Sequence, residues 1–450
     1  MKIKYLIYII LIGIPLISSL SCSDNQQSEQ NKQMDSIAEG YVKLVLNVGL
    51  YDSDYVDAYY GPEDWRPSNL EKQDTFPYED LKTKVIRLIE SIGEIDREKL
   101  VGQEKQRYTS LVKQLKSVKA KIEILNGKQY SFDEELELLY DAVAPIYNEI
   151  YDQEMISKLG NLVPGTGDLS ERLNSYLEEF VIPQERLDTV FSVAIAECRK
   201  RTLAHIELPE NEKFIFEYVT DKTWRLYNWY KGNSFSVIQI NTDLPIPIYR
   251  AVLGGAHEGY PGHHVYSTIV EKYLVKEKGW KEYSILPVFI PIMIIIEGLA
   301  IFAQELVMPL NERISFEREV LFPLAGLDID KIEKYYQIRK IQLELDYAVY
   351  EVARNYLDGK FTEEEAESWL MKYGLLSPEL AYKKLSFIRQ YRSYVMNYIL
   401  GYNIVKNYIE SNGGTPDNIE MRWKLYIKLL TTPLSPSDLI KATKKGNVNY

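Results

Sequence analysis

The chain has 450 residues, of which 46% are hydrophobic and 26% are charged, so it can form one large or two to three ordinary globular domains. Its 53 Lys and Arg residues against 65 Asp and Glu residues give a net charge of -12, the wrong sign for a general nucleic-acid binder. The two cysteines, Cys22 and Cys198, exclude a disulfide framework and a zinc cluster of several cysteines. Any metal site must therefore use histidine and carboxylate ligands.

The N-terminus has the pattern of an exported protein. Two lysines precede an apolar run from Tyr5 to Ile17, and small residues follow it, which predicts a signal peptide over residues 1–21. This run is shorter than the about 20 residues that a membrane-spanning helix needs. Cys22 stands where a bacterial lipoprotein carries its lipidated cysteine, and the stretch resembles a lipobox. We therefore predict an exported lipoprotein of the bacterial cell envelope, periplasmic or outer-membrane anchored, that touches the membrane only through lipid on Cys22.

The residues after the predicted leader divide into a tether and a folded part. Residues 22–34 are strongly polar, which favours a flexible tether. Residues 35–450 show apolar residues at helical spacing, for example from Ile332 to Tyr356 before Gly359. The predicted fold class is therefore mainly α, and residues 35–450 form one large helical domain. Alternatively, this domain is divided near residue 210 into an N-terminal part (about 35–210) and a catalytic part (about 211–450).

Three places along the chain carry helix-start signals. These are Ser131 with Glu134, Thr362 with Glu365, and Ser377 before Pro378, which supply a side-chain acceptor or a fixed φ for the first helical turn. Each predicts that a helix begins directly after it.

One segment departs from the helical pattern. Residues 223–241 are rich in strand formers around the turn signal at residues 231–234, which predicts a small β-sheet there. The strand over 235–240 is a hypothetical edge for an extended peptide substrate. Further on, the apolar run from Ile285 to Ile296 is too short to span a bilayer and predicts a buried core segment. It ends at Glu297.

Three of the four histidines lie in the eight-residue segment His257–His264, with the sequence H-E-G-Y-P-G-H-H. It opens like the helical zinc motif H-E-x-x-H, whose histidines share one helix face, but Pro261 occupies the position of the second histidine. A hydrolytic zinc site needs imidazole or carboxylate ligands, one open coordination position, and a carboxylate that takes a proton from water. The segment contains the histidines and, in Glu258, such a carboxylate.

The spacing of these histidines requires a bend. In a straight helix, His264 would lie about 10.5 Å along the axis from His257, too far to share one ion. Pro261 cannot continue the helical hydrogen bonding and Gly262 can adopt unusual backbone angles, so a sharp corner is expected. We predict His257 and His263 as ligands, because His263 stands where a two-residue insertion would leave the motif's second histidine. His264 is then an alternative ligand, a hydrogen-bonding neighbour of the ligands or a substrate contact.

A third ligand is expected from another helix, and Glu297 is the candidate. A carboxylate at the end of twelve apolar residues is costly to bury unless another group compensates its charge, and a metal ion would do so. The alternative is that Glu297 pairs with an arginine or faces water. Glu305 is a weaker alternative ligand, or an acceptor for a hydrogen bond from a ligand.

These motifs resemble those of the bacterial domain of unknown function 885 family, which carries an H-E-x-x-P-G-H stretch followed by an E-G-W-A-like stretch. The first motif is matched at residues 257–264 and the second at residues 297–305. Leu299 stands where the family has Trp, and Phe302 where it has Tyr, so the shape of the pocket can differ while the carboxylate is kept.

Two further segments extend the resemblance over most of the chain. Residues 398–401 (Y-I-L-G) look like the family's Y-x-x-G segment, and the similarity begins at residues 57–62 (D-A-Y-Y-G-P). The resemblance implies a largely helical, zincin-like metallohydrolase, and it implies activity as a peptidase. The small sheet predicted from residues 223–241 would lie before the metal-binding helix.

The expected chemistry is hydrolysis with one Zn²⁺ ion per chain. Glu258 would be the general base and the ion would polarise the scissile carbonyl of a peptide or amide substrate. Tyr398 is the first choice for a donor to the oxyanion, with Tyr402 and Arg392 nearby in sequence. The alternatives are a metallohydrolase of non-peptide amide bonds and a surface lipoprotein that binds ligands without catalysis. The sequence predicts no nucleic-acid partner and does not predict the oligomeric state.

Overall fold

The computed structural model describes residues 15–68, 72–145 and 149–443, with side chains described from residue 29 and, after the second gap, from residue 153. The fold is mainly α-helical with two small sheets, which confirms the predicted fold class. Up to residue 203 the elements are α1 (Pro15–Gly49), β1 (Val56–Tyr59), α2 (Tyr78–Gly93), α3 (Gln103–Leu125), α4 (Phe132–Tyr140), α5 (Glu149–Leu162), α6 (Leu169–Glu178) and α7 (Leu187–Leu203).

The rest of the chain contains the larger sheet and twelve helices within the described residues. The strands are β2 (Lys213–Val219), β3 (Leu226–Tyr230), β4 (Phe235–Asn241) and β5 (Ile285–Pro287). The helices are α8 (Tyr249–Gly254), α9 (His263–Val270), α10 (Ile292–Val307), α11 (Leu310–Phe316), α12 (Phe322–Ala325), α13 (Ile332–Leu345), α14 (Ala348–Leu357), α15 (Glu363–Tyr373), α16 (Pro378–Tyr391), α17 (Ile399–Ser411), α18 (Ile419–Leu430) and α19 (Pro436–Ala442).

The three predicted helix starts are confirmed. Ser131 and Glu134 form a reciprocal capping box at α4, Thr362 and Glu365 form one at α15, and Ser377 accepts a backbone hydrogen bond at the start of α16. The predicted helical stretch before Gly359 forms two helices, α13 and α14, instead of one. The apolar spacing continues across this break, so the sequence does not reveal it.

The N-terminal helix differs from the predicted tether. Helix α1 begins at Pro15 and includes residues 22–34, where the sequence favours a flexible segment. The Gln, Glu and Lys residues of that stretch are good helix formers, and from Met34 onward the helix buries apolar side chains. Residues 1–14 of the predicted signal peptide and the side chain of Cys22 lie outside the described residues, and leader cleavage and lipidation stay predictions. Cys198 is a buried free cysteine.

The predicted hairpin is confirmed, but its proposed free edge is not. Strands β3 and β4 pair in antiparallel fashion around residues 232–234, which all have positive φ. Strand β2, which the sequence analysis missed, pairs with β4 in parallel and gives the order β2-β4-β3. Because β4 is the central strand, the hypothesis that residues 235–240 offer an edge to a peptide is wrong. Strands β1 and β5 form a separate antiparallel pair.

Helix α10 lies at the centre of the molecule, as expected for the apolar run that leads into Glu297. It packs on α17 through Gly298 and Gly401, and a Cβ atom on either glycine would lie 2.2 Å from a backbone oxygen of the other helix. Only glycine allows this close approach, and it places Tyr398, at the start of α17, beside Glu297. Buried apolar residues from Met34 to Leu439 form one cluster, and the division near residue 210 stays a prediction.

Among the described residues, no helix on its own combines the length and the hydropathy needed to cross a membrane. One bent pair, Ile292–Val307 with Leu310–Ala325, meets both criteria together, at an angle of 66°.

Candidate metal centre

The histidine segment forms the corner that its sequence predicts. Helix α8 continues as one π-helical turn, Gly255–Gly259, which carries His257 and Glu258, and α9 begins at His263. At the corner, a Cβ atom on Gly262 would lie 1.9 Å from the carbonyl oxygen of His257, so this position requires glycine. The Tyr426 hydroxyl donates a hydrogen bond to the carbonyl of Pro261 over 3.0 Å. These contacts fix the direction in which the chain turns back.

The corner brings His257, His263 and Glu297 together as a group that could hold a metal ion. The two Nε2 atoms are 3.1 Å apart. The Glu297 carboxylate oxygens lie 3.4 Å from Nε2 of His257 and 3.7 Å from Nε2 of His263. Ligands at about 2.0–2.1 Å from a tetrahedral zinc ion are separated by about 3.3–3.4 Å. The spacing of the three groups therefore fits a zinc ion.

The hydrogen bonding of Glu297 supports the same fit. Tyr394 donates to Oε1 over 2.6 Å, while the buried Oε2 atom accepts no hydrogen bond. No Lys or Arg in the described part of the chain forms an ion pair with this carboxylate. A buried carboxylate without a compensating cation is unfavourable, so the site has a place for a positive charge that no described lysine or arginine fills.

The pKa values of the three groups shift in different directions. Burial lowers the pKa of His263 to about 4, which keeps its imidazole neutral near pH 7. Burial would lower the pKa of His257 too, but the carboxylates of Glu258 and Glu297 outweigh it and raise that pKa. Burial would raise the pKa of Glu297, yet the two histidines and Tyr394 outweigh it and lower the pKa to about 2. Glu297 is thus an ionised carboxylate.

Glu258 lies beside this group without belonging to it. One of its carboxylate oxygens is 4.0 Å from Nε2 of His257, and the other is buried and accepts no hydrogen bond. Asn228, on β3, donates over 2.6 Å to the backbone carbonyl of Glu258 and so holds this turn in place. Burial raises the pKa of the Glu258 carboxyl to about 7, although the nearby His257 opposes the shift. A carboxylate in this position can accept a proton from a water molecule at the site.

The cavity at the site is small and rich in tyrosine. It has a volume of about 80 Å³, and Tyr398 and Asp57 both line it with the three possible ligands and Glu258. The Tyr398 hydroxyl makes no hydrogen bond among the described residues, so it is available to a bound molecule. The Asp57 carboxylate accepts a hydrogen bond from Tyr227, and burial raises its pKa to about 7.

Three residues of this site were missed as functional residues from the sequence. Asp57 is part of the D-A-Y-Y-G-P segment that carries the family resemblance, so a signal for it existed. Tyr394 and Tyr227 gave no signal, since a tyrosine that contacts a buried carboxylate has the same sequence context as a tyrosine in the core.

His264 is not placed as predicted. Its Nδ1 atom is 2.8 Å from the Ser236 hydroxyl and its Nε2 atom is 2.9 Å from Glu212, so both ring nitrogens are used away from the cavity. Glu212 also accepts hydrogen bonds from Tyr260 and Arg199. Consecutive residues of a helix point about 100° apart, so His264 points away from the group that His263 faces. It anchors the corner to the sheet, and the structure does not bring it to the cavity as an alternative ligand or a substrate contact.

Glu305 and two of the proposed oxyanion donors are also placed elsewhere. Glu305 forms ion pairs with Arg422 and Lys406 and accepts a hydrogen bond from Tyr402 over 2.7 Å. Arg392 pairs with Glu135 over 2.7 Å. The structure therefore places Glu305, Tyr402 and Arg392 in other clusters and does not bring them together with the three possible ligands.

Comparisons with known proteins give a likeness of fold. The chain matches no family model and no curated protein. A presumed lipoprotein from Colwellia psychrerythraea is similar with a TM-score of 0.50 and 13% identity over 84% of this chain and 70% of that one. A presumed lipoprotein of unknown function from Shewanella oneidensis has a TM-score of 0.40 and 12% identity over 78% and 72%. Metallocarboxypeptidase 1 from Trypanosoma cruzi has a TM-score of 0.40 and 13% identity over 94% and 97%.

Proposed function

We propose that this protein is a zinc-dependent hydrolase that cleaves peptide bonds, with one zinc ion per chain held by His257, His263 and Glu297. The observation that carries the proposal is the buried Glu297 carboxylate. It faces two imidazole nitrogens at zinc-ligand spacing and has no ion pair with a lysine or arginine among the described residues. Two histidines and one carboxylate leave the fourth position of a tetrahedral ion open, as hydrolytic sites require.

The residues around the ligands divide the chemistry between them. When bound, a zinc ion supplies Lewis-acid polarisation of a carbonyl group and a water molecule of lowered pKa. Glu258 takes the proton from the attacking water and passes it to the leaving amine. Tyr398 donates a hydrogen bond to the carbonyl oxygen as negative charge develops on it. The apolar wall of α10 keeps bulk water away from these groups, which strengthens their electrostatic interactions.

The proposal includes the family and the location. The motifs that resemble the domain of unknown function 885 family, at residues 57–62, 257–264, 297–305 and 398–401, all contribute residues to this one cavity. The leader-like N-terminus with Cys22 supports an exported lipoprotein of the cell envelope. The description of the Colwellia psychrerythraea protein as a presumed lipoprotein agrees with this location.

The replacement Glu258→Gln tests the proposal, and Glu317→Gln is its matched control. Glu317 is also a buried carboxyl whose pKa burial raises to about 7, but it does not line the cavity. Glu258→Gln is expected to lower kcat on a peptide mixture by about 1000-fold while the zinc content measured by elemental analysis stays near one ion per chain. Glu317→Gln is expected to keep both values.

The outcomes of this test separate the competing functions. Full turnover by the Glu258→Gln protein would contradict the role of Glu258 as the base. Cleavage of non-peptide amides with no cleavage of peptides would assign the protein to the alternative class of amide hydrolases. A zinc-loaded wild-type protein that cleaves neither would contradict the hydrolase proposal as a whole.

A further inference from the structure

A second, larger cavity opens beside the metal centre. It has a volume of about 360 Å³, and its lining includes His257, Glu258 and Tyr398, which also line the small cavity of the site. The two cavities therefore share a wall at the reacting groups. A substrate whose scissile bond reaches His257 and Glu258 can extend into the larger cavity.

The larger cavity is strongly cationic in a protein of net charge -12. Four basic side chains, three from different helices and one from the loop before β3, line it without an ion pair to any described carboxylate: Arg225, Arg250, Arg339 and Lys384. A fifth, Lys383, is neutralised by Asp243 at 2.9 Å. Glu258 apart, the only acidic side chain in this lining is Asp346. The unpaired positive charges outnumber it four to one.

The hydrogen-bond donors of these cations are poorly used. Arg225 donates from Nη1 to the carbonyl of Pro245 over 3.4 Å, a long hydrogen bond. The Nε group of Arg250 is buried and has no hydrogen-bond partner. The Arg339 guanidinium lies 4.0 Å from the ring centre of Tyr249 and uses one Nη atom on Gln342. Guanidinium groups offer paired donors that match a carboxylate, and donors remain free here.

Burial and the crowding of like charges lower the pKa values of two of these cations. Burial, together with the positive charge of Arg250, lowers the pKa of Arg225 to about 10. Burial and the same two arginines also lower the pKa of Lys384, against the attraction of Asp346. Holding several unpaired cations together in a partly buried cavity is unfavourable. An anionic ligand would relieve this cost on binding.

We propose that this cationic cavity is the part of the substrate site that binds a carboxylate, and that the protein acts on peptides carrying a free carboxylate next to the scissile bond. The inference rests on the proposed function, because it assigns the substrate class of the same metal centre. The carboxylate can be the C-terminal group of the peptide or the side chain of a terminal Asp or Glu. Both sources present the same planar anion to the arginines.

Binding measurements test this substrate class without relying on turnover. The zinc-loaded Glu258→Gln protein is titrated by calorimetry with three peptides. The first is a pentapeptide of alanine with a free C-terminal carboxylate, and the second is the same peptide with a C-terminal amide. The third also has a C-terminal amide, but its last residue is glutamate. The free acid is expected to bind at least about 10-fold more tightly than the plain amide. The glutamate amide shows whether a side-chain carboxylate substitutes for the terminal one.

Two charge-neutralising replacements locate the effect. The double variant Arg339→Gln/Lys384→Gln should bind the free-acid peptide less than about 2-fold more tightly than the plain amide peptide. Its affinity for the plain amide peptide should be unchanged. The matched control is Lys340→Gln, which removes one exposed charge next to Arg339 on α13 and should keep the preference.

The results separate this inference from the proposed function. Equal affinity for the two carboxylate peptides and the plain amide, or no binding of any of the three, would overturn the carboxylate site. A wild-type protein that cleaves acid and amide peptides at the same kcat/KM would leave a peptidase and reject the cationic cavity as its specificity site. A preference for carboxylate in binding, with no cleavage of any peptide by the wild-type protein, would keep the cavity and contradict the proposed function.

Discussion

Two carboxylates on helix α10 have opposite surroundings. Glu297 and Glu305 are eight residues apart, about 12 Å along the helix. Glu305 is neutralised by Arg422 and Lys406. Glu297 is more deeply buried, with 4% of its surface exposed, yet it faces two histidines and no fixed cation. Each also accepts a hydrogen bond from one tyrosine, Tyr394 for Glu297 and Tyr402 for Glu305.

The difference shows two ways of compensating a buried negative charge. At Glu305 the chain supplies the positive charge itself, so the cluster is complete without a ligand. Under the proposed function, the chain supplies two imidazole nitrogens at Glu297 and a zinc ion supplies the positive charge. The proposed function therefore assigns the metal to Glu297, and we expect Glu305 to contribute to stability. The following replacements test this distinction.

The largest effect is expected when the Glu297 carboxylate is neutralised. Glu297→Gln removes an anionic ligand and should weaken zinc binding on the order of 1000-fold, or about 4 kcal/mol. Equilibrium competition with a zinc-binding dye measures it. The matched control Glu305→Gln should bind zinc like the wild type. Equal zinc affinities in the two variants would remove the distinction between the two carboxylates.

A substitution at the close contact between α10 and α17 should lower the stability of the fold. Gly401→Ala places a methyl group 2.2 Å from the carbonyl oxygen of Ile294 on α10, so the two helices must separate. We expect this to lower the free energy of unfolding by about 3 kcal/mol. Gly93→Ala is the control, because no atom lies within 4 Å of its added methyl group. Urea unfolding of both variants measures the effect. A Gly401→Ala protein as stable as the wild type would show that the close helix contact is not needed.

A smaller loss of stability is expected at the Glu305 carboxylate. Glu305→Gln leaves the 1% exposed Arg422 guanidinium without its main partner, although Glu410 remains 3.7 Å away. We expect about 2 kcal/mol of lost stability, below the full effect of breaking a buried pair. Urea unfolding in the presence of zinc measures it. A stability unchanged from the wild type would mean that Glu305 has no structural role.

The smallest effects are expected from the two tyrosines. Tyr394→Phe removes the hydrogen bond that orients Glu297 and should weaken zinc binding by about 10-fold, or about 1.4 kcal/mol. Tyr402→Phe, which removes the corresponding hydrogen bond to Glu305, should leave zinc affinity unchanged. Zinc titrations of the two variants decide between them. A larger loss of affinity in Tyr402→Phe than in Tyr394→Phe would contradict the assignment of the two clusters.

The sequence predicted those features of the site that depend on local chemistry. The corner at Pro261 and Gly262 follows from the missing amide hydrogen and the absent Cβ atom, and the position of His263 after the corner follows from the insertion. Burial of Glu297 follows from the apolar run before it. The capping residues at the starts of α4, α15 and α16 also act locally and were predicted correctly.

The features that the sequence did not reveal depend on contacts between distant segments. Glu305 and Glu297 look alike in sequence, and only the packing of α17 and α18 places Arg422 beside one of them. His264 adjoins a predicted ligand, yet Glu212, 52 residues earlier, directs it away. Strand β2 pairs in parallel with β4, so no hairpin signal marks it. The cationic cavity is assembled from residues between Arg225 and Lys384, with no local cluster of charge.

The central claim is that one metal ion binds between the two sides of the proline corner and α10. Crystals of the zinc-loaded protein, measured on both sides of the zinc absorption edge, test it directly through an anomalous difference map. We predict one strong peak per chain within about 2.0–2.2 Å of Nε2 of His257, Nε2 of His263 and a carboxylate oxygen of Glu297. A map without a peak between these three side chains, or with its only zinc peak elsewhere on the chain, would contradict the account.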